Sequence, residues 1–476
     1  MALEDVIGEP PAASRVEAGL KPSMHGFGAL LITLSCLSPS IGVFLVGSDI
    51  IHQAGTSAFL CFVAAALLGV AMATVYGELS SAFPGAGGEY TIFGRALGRR
   101  WGLVALGLNL LGFSLAQSIS GLGVATYLHP FAPGLPMTPA AAALVAIVTL
   151  IGILNIRVNA WITGCFLAAE VTALTVLALT GLLHPARSFD MAVLHPVVLG
   201  AHGVLQAPAI ITVGVAMAGG VYAFNGYGAV LFLGEEMHEA PRRIAGVVFL
   251  SLGVAMATEL LPMLGVLIGA PDLKRLLASD APILAFIAVK CPPWLAAMMS
   301  IGVALAIFNA MIAVALVAGR QLYATGRDRL WPDRISGFLA QIHPRFGSPW
   351  TATLVMGAAG LLGCLISQKV LVLVLGNGNI ALYTGLCLAA LAGRRSGATG
   401  HAGYRMPFFP LAPLVALAAL AAVVWFDLHD ADGAAGLAAT LAAVVLSLAY
   451  YSFVLKRRTA WSYTTLEAAE QGAPRA

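Results

Sequence analysis

Ser38-Pro39-Ser40-Ile41-Gly42 interrupts an apolar segment that runs from about residue 26 to residue 51. Proline lacks an amide proton, and serine competes for backbone hydrogen bonds, so a continuous helix is disfavoured there. A second interruption, Ala223-Phe224-Asn225-Gly226-Tyr227-Gly228, falls in the sixth apolar segment. Within a bilayer, each amide or carbonyl freed by a break needs a partner that hydrocarbon cannot supply. Unwound backbone is therefore tolerated only inside protein or along a cavity. Two breaks at corresponding places of two five-helix halves point to a ligand site near the membrane midplane.

The rest of the chain agrees with a lipid environment. Its 476 residues are 59% apolar and 10% charged, against about 25% charged in ordinary soluble domains. A soluble globular protein is thereby excluded. About 20 apolar residues suffice to cross the hydrocarbon core, and twelve such segments tile the sequence at 26–51, 56–82, 101–127, 138–156, 161–183, 209–234, 244–269, 294–323, 350–367, 370–393, 410–427 and 434–455. The first is read as a retained membrane helix, since no small-residue cleavage site follows it.

Basic residues set the expected orientation, because inner loops carry the Lys and Arg excess. With the amino terminus inside, the outer side keeps only Arg187, Lys274, Arg275, Lys290 and Lys369, five of 25 basic residues, and both termini fall in the cytoplasm. The net charge of +3 then reflects topology rather than a nucleic-acid surface. The expected location is the plasma (inner) membrane. Cys36, Cys61, Cys165, Cys291, Cys364 and Cys387 lack Cys-x-x-Cys spacing and read as small core residues, with no metal site.

The domain reading follows: a cytoplasmic tail over 1–25, one membrane domain over 26–455 and a second cytoplasmic tail over 456–476. Arg327-Asp328-Arg329 with Trp331-Pro332 suggests a short amphipathic helix on the inner surface, or a solvated basic loop. Phosphate-loop, His-Glu-x-x-His and Gly-x-Ser-x-Gly motifs are missing from the sequence, which argues against an enzyme.

Three stretches resemble those of the amino acid, polyamine and organocation transporter superfamily. The first is Glu78-Leu79-Ser80-Ser81-Ala82-Phe83-Pro84-Gly85-Ala86-Gly87-Gly88-Glu89-Tyr90, followed by Phe93-Gly94-Arg95 and Gly98-Arg99-Arg100-Trp101-Gly102. The second is Phe224-Asn225-Gly226-Tyr227 with Glu235-Glu236 and Pro241-Arg242-Arg243. The third is Gly319-Arg320-Gln321-Leu322-Tyr323-Ala324, Arg327-Asp328 and His343-Pro344-Arg345-Phe346-Gly347-Ser348-Pro349-Trp350. The resemblance implies an all-α membrane protein of twelve helices. Helices 1–5 and 6–10 would form an inverted repeat, over about 26–183 and 209–393, with two peripheral helices over 410–455. Where many members carry Gly-x-Gly in helix 1, this chain keeps only the second glycine, Gly42. Glu170 in helix 5 replaces a lysine found in other members and looks more like the amino acid and choline branch.

The chemistry expected at the breaks suits an α-amino acid. Amides around Ser40, Ile41 and Gly42 would begin the outer half-helix and hold a carboxylate. Carbonyls near Leu37, Ser38, Tyr222 and Phe224 would hold the ammonium, while Gly42 and Gly226 would admit close approach. The resemblance suggests Phe224 as a gate over the substrate; packing in the bundle is the alternative. Asn225, Gln117, Ser118, Asn309 and Asn377 are candidates for a side-chain subsite.

Gly228 stands where some cation-transporting relatives have a carboxylate, so a neutral amino acid is favoured. Glu170 is the candidate for proton coupling and Glu259 a more structural acid, because a carboxyl inside a span must face a cavity, pair or titrate. Glu78, Glu235 and Glu236 are expected to pair with arginines such as Arg95 or Arg320 near the inner surface.

The sequence thus reads as a secondary transporter with a small-molecule amino acid substrate. It needs no cofactor beyond a coupling ion, H+ or alternatively Na+, and implies no nucleic-acid or protein partner. An exchanger, a sodium-coupled symporter, an amine, polyamine or choline transporter and a non-transporting amino acid sensor are the competing readings.

Overall fold

The computed structural model describes residues 22–458 except 133, 155, 201 and 202. Most of the two tails expected at 1–25 and 456–476 lies outside the described residues. Among those described, nine helical stretches are long and apolar enough to cross a membrane, and two shorter apolar helices, Met137–Gly152 and Trp350–Gly363, accompany them. The protein is an integral membrane protein built almost entirely of helix.

The first stretch, Gly26–Ala82, contains 57 residues and does not run straight. It comprises α1 (Gly26–Leu37), a π-helical segment (Ile41–Gly47), α2 (Ser48–Ala54) and, after a turn at Gly55–Ser57, α3 (Ala58–Ala82). The turn needs glycine: Gly55 has φ +60, and a Cβ there would lie 2.0 Å from the Val197 carbonyl oxygen. That carbonyl accepts the Thr56 amide at 2.9 Å, docking a two-stranded hairpin, β1 (Val198–Leu199) and β2 (Leu205–Gln206), against the turn.

A short α4 (Glu89–Ala96) leads into α5 (Arg99–Leu128), followed by α6 (Met137–Gly152) and α7 (Ile156–Leu182). The second interrupted element comprises α8 (Ile210–Ala223) and a 3-10 segment (Tyr227–Leu233). After it come α9 (Ala240–Gly269), the short α10 (Leu273–Leu277) and α11 (Pro282–Lys290), and α12 (Pro293–Arg327). The chain ends with α13 (Asp333–Leu339), α14 (Trp350–Gly363), α15 (Gln368–Ser396), α16 (Leu411–Leu428) and α17 (Ala431–Phe453).

The 35 residues of α12 span about 50 Å at 1.5 Å per residue, more than the hydrocarbon core of about 30 Å. The helix is longer than a perpendicular crossing needs, and its last turns carry Arg320 and Arg327. Arg327 ends α12, and the connection over 326–349 carries a short helix, α13, that follows the Arg327-Asp328-Arg329 cluster and Trp331-Pro332.

Packing separates core from periphery. Of the most apolar window of α12, 72% is buried inside the protein, against 28% for α16 and 11% for α17, which leaves the last two helices facing lipid. At their C-terminal ends, α7 and α9 approach backbone to backbone: a Cβ on Gly181 would sit 2.0 Å from the Gly265 carbonyl oxygen, and one on Gly269 2.5 Å from the Gly181 Cα. Small residues are what permit such close helix contact where lipid removes the usual hydrophobic drive.

Candidate functional site

The two interruptions meet. α1 stops at Leu37 because Ser38 adopts a left-handed conformation, φ 45 and ψ 82, with its amide donating to the Leu34 carbonyl. α8 stops at Ala223, and Gly226 takes φ +121, a backbone state open to glycine at little cost. A Cβ on Gly226 would lie 2.5 Å from the Leu37 Cα and 2.7 Å from its nitrogen. Segments almost 190 residues apart in sequence thus touch through their backbones.

Beside this contact lies a cavity of about 110 Å³. Leu37, Ile41, Tyr222, Ala223, Asn225 and Gly226 from the two breaks form one wall, and residues of α3, α4, α5, α12, α15 and α17 complete it. Of the residues expected to bind, Ile41, Tyr222, Asn225 and Gly226 line this space, whereas Ser38, Ser40, Gly42, Phe224 and Glu170 do not.

The amides of the helix-1 break already have partners within the chain. The Ile41 and Gly42 amides donate to the Ser38 carbonyl at 2.9 and 3.3 Å. The Ser40 amide donates to Glu170 Oε1 at 2.7 Å, and Ser38 Oγ donates to the same oxygen at 3.0 Å. The Tyr222 carbonyl accepts the Asn225 amide at 2.9 Å. The open space expected beside Gly42 is filled by Glu259, whose carboxyl atoms stand 2.8–2.9 Å from where a Gly42 Cβ would be. Phe224 packs edge-on against Phe62 with ring centroids 5.8 Å apart, so in this state it is a bundle residue.

Apart from Asn225, the polar side chains expected as a subsite face elsewhere. Ser118 Oγ donates to the Gly360 carbonyl at 2.7 Å, and Gln117 packs by Gly360 as well, both seating α5 on α14. Asn309 Nδ2 donates to Ser35 Oγ at 2.9 Å, joining α12 to α1. Asn377 contacts Gly436 of α17. The cavity stripe of α5 runs through Asn109, Gly112, Phe113, Ala116 and Ser120, the three- and four-residue steps of one helix face. Ser118 belongs to the opposite face, and Gln117 to the flank beside the stripe.

Among the cavity residues not singled out as site residues from sequence are Tyr76, Glu89, Asn109, Asn379 and Tyr383. Glu89 is 5% exposed. Its Oε1 accepts Tyr76 Oη at 3.0 Å and its Oε2 accepts Asn109 Nδ2 at 3.1 Å. Burial lifts this carboxyl above its ordinary range, against the hydrogen bonds from Tyr76 and Asn109. No lysine, arginine or histidine is among the described cavity-lining residues. Tyr76 also stands edge-on to Tyr227 and Tyr383, at 5.6 and 6.0 Å. Tyr383 Oη donates to Asn225 Oδ1, and Asn225 Nδ2 to Asn379 Oδ1, each at 3.2 Å. Asn379 Nδ2 is left buried without a partner. The clue to Glu89 was in Gly87-Gly88-Glu89: Gly88, at φ +52 with the Phe232 ring 2.1 Å from its would-be Cβ, turns the chain back so that α4 points its first residue inward.

Ion pairs close one end of the bundle. Arg394 donates to both Glu78 oxygens, at 2.5 and 2.7 Å. Arg320 donates to both oxygens of Glu236, and Arg327 reaches Glu235 at 2.6 Å. Glu235 also accepts the Ala86 amide at 2.9 Å. Arg95 lies over the Phe83 ring at 6.0 Å.

Comparison with known proteins identifies the family. The pattern of a family described as amino acid permease matches residues 26–453. An uncharacterized transporter of Mycobacterium tuberculosis is 30% identical over 67% of this chain and 68% of its own length. The branched-chain amino acid permease BcaP of Bacillus subtilis is 22% identical over 83% of this chain and 84% of its own. The low-affinity putrescine importer PlaP of Escherichia coli is 24% identical over 67% and 69%.

Proposed function

This chain belongs to the amino acid permease family, and from that premise we propose that it imports a neutral α-amino acid together with a proton by alternating access. The observation that carries the proposal is the cavity at the junction of two broken helices. An amino acid exposes a carboxylate and an ammonium, and a cavity walled by half-helix ends offers fixed dipoles of both signs. The branched-chain permease among the relatives supports a neutral substrate.

The five-plus-five repeat with two peripheral helices is part of this reading. In its support, α3 packs on α9 and α5 on α12, the second-with-seventh and third-with-eighth pairs that such a repeat relates. The amino terminus is placed inside, where the ion pairs of Glu78, Glu235 and Glu236 close the inner end. Glu170 is assigned the transported proton, since its carboxyl holds the unwound backbone at Ser38 and Ser40. Because the Ile41 and Gly42 amides are engaged by Ser38, a substrate carboxylate would take them over as the break rearranges.

Labelled amino acids offered to purified protein in liposomes, with and without an inward proton gradient, test the proposal. Gradient-stimulated uptake of a neutral amino acid is expected in the wild type and its loss in Glu170→Gln. Stimulation unchanged in that variant contradicts the coupling assignment.

A second reading, an organic amine as substrate, is favoured by Glu89, the one carboxylate among the described cavity-lining residues, and by the putrescine importer among the relatives. On this reading amine affinity falls as pH is lowered through the raised Glu89 range, because protonation removes the charge. Competition of an amine against amino acid uptake, measured across pH, separates the two readings.

A further inference from the structure

Glu170 and Glu259 reach the same five-residue break from different helices. Glu170, on α7, holds Ser38 and Ser40; Glu259, on α9, lies against Gly42. Both are fully buried, and the positions they hold, Ser40 and Gly42, are two residues apart on the same stretch of backbone. Glu170 Oε2 and both oxygens of Glu259 have no hydrogen-bond partner, and neither does Ser40 Oγ. Lysine, arginine and histidine make no hydrogen bond or ion pair with either carboxyl among the described residues. Of the charged side chains on the packed helices, Glu78 on α3 is paired with Arg394, Arg320 and Arg327 on α12 with Glu236 and Glu235, and Arg243 on α9 with Glu239; Arg242, at the start of α9, is exposed. Of the other titratable groups near the break, Cys36 lines the cavity and the Tyr127 hydroxyl donates to the Phe44 carbonyl.

Two ionised carboxylates side by side in a dry interior repel strongly and lose their hydration, so they do not both stay charged. We propose that Glu170 and Glu259 form one proton site, in which a single transported proton is held between the two carboxyls and belongs to the pair. The proton supplies the donor that the orphaned oxygens lack. Its loss to water leaves two carboxylates, a state that only solvent can support, so release requires the site to open. The break in helix 1 has this site on one face and the cavity on the other, through Ile41. Substrate and proton thereby act on the same short stretch of backbone. This inference rests on the proton-coupled reading above and adds Glu259 as its second half; the Gly181, Gly265 and Gly269 contacts hold the two helices close enough for it.

The test compares wild type, Glu170→Gln, Glu259→Gln and Glu259→Asp in liposomes, with substrate exchange in preloaded vesicles as the measure of a working site. Expected is exchange retained in Glu259→Gln, with gradient stimulation reduced about tenfold or its pH midpoint moved by about one unit, the coupling typical of interacting acids. Glu259→Asp restores the gradient response. In pH-difference infrared spectra, either glutamine variant shifts the same carboxyl band. If Glu259→Gln keeps wild-type gradient stimulation and pH profile while Glu170→Gln loses stimulation, Glu259 has no part in the site and the proton-coupled function stands. If the wild type exchanges substrate but never responds to the proton gradient, the coupled function and this inference both fall. Separate infrared bands removed one by each variant also overturn the shared proton.

Discussion

Gly42 shows how one residue's meaning changes once its neighbours are known. In sequence it is the remaining glycine of a helix break; in the structure its missing Cβ makes room for the Glu259 carboxyl. The obstructed group is the far end of a flexible side chain, so Gly42→Ala is expected to fold normally, push Glu259 aside and reproduce the transport defect of Glu259→Gln. Wild-type gradient stimulation in Gly42→Ala would argue against that contact. Gly226 differs, because its would-be Cβ meets the Leu37 backbone and its φ is +121. Gly226→Ala should therefore cost about 2 kcal/mol or more, since neither the strained dihedral nor the backbone contact can relax cheaply; thermal unfolding in detergent measures it. Polar residues inside spans were easy to find in the sequence, but which side of a helix each faced was not. Asn309 and Gln117 are as polar as Asn109 and Asn379, and only the packing of α5 on α14, and of α12 on α1, turns the first two away from the cavity.

At the level of elements, the breaks were legible because proline, serine and glycine in a hydrophobic run have a direct backbone consequence. The glycine contact of α7 with α9 was not, since Gly181, Gly265 and Gly269 stand among 53 glycines and their pairing is tertiary. Gly265→Leu is expected to force these helices apart and lower the yield of folded protein, read by size-exclusion chromatography. Glu78 was expected to pair with an arginine such as Arg95 or Arg320, whereas its partner is Arg394 of α15. Glu78 is fully buried and Arg394 only 18% exposed. Glu78→Gln should therefore destabilise the protein by about 3 kcal/mol, the usual cost of leaving one member of a buried pair alone. An unchanged melting temperature would show that the pair contributes little to holding α3 on α15.

For the whole molecule, composition and periodicity were enough to establish a membrane-embedded helical protein, and the motif resemblance led to its family. The position of the cavity required the fold, because its walls come from helices scattered along the chain. The central claim is that this cavity holds the transported molecule. Gly112 and Gly378 both line it, and a Cβ at either would meet nothing within 4 Å. Gly112→Phe and Gly378→Phe should therefore fill the cavity without disturbing its walls. The most direct measurement is substrate uptake by these two variants in liposomes, alongside their melting temperatures. The account requires normal stability with uptake abolished in both, and wild-type uptake by either folded variant would contradict it.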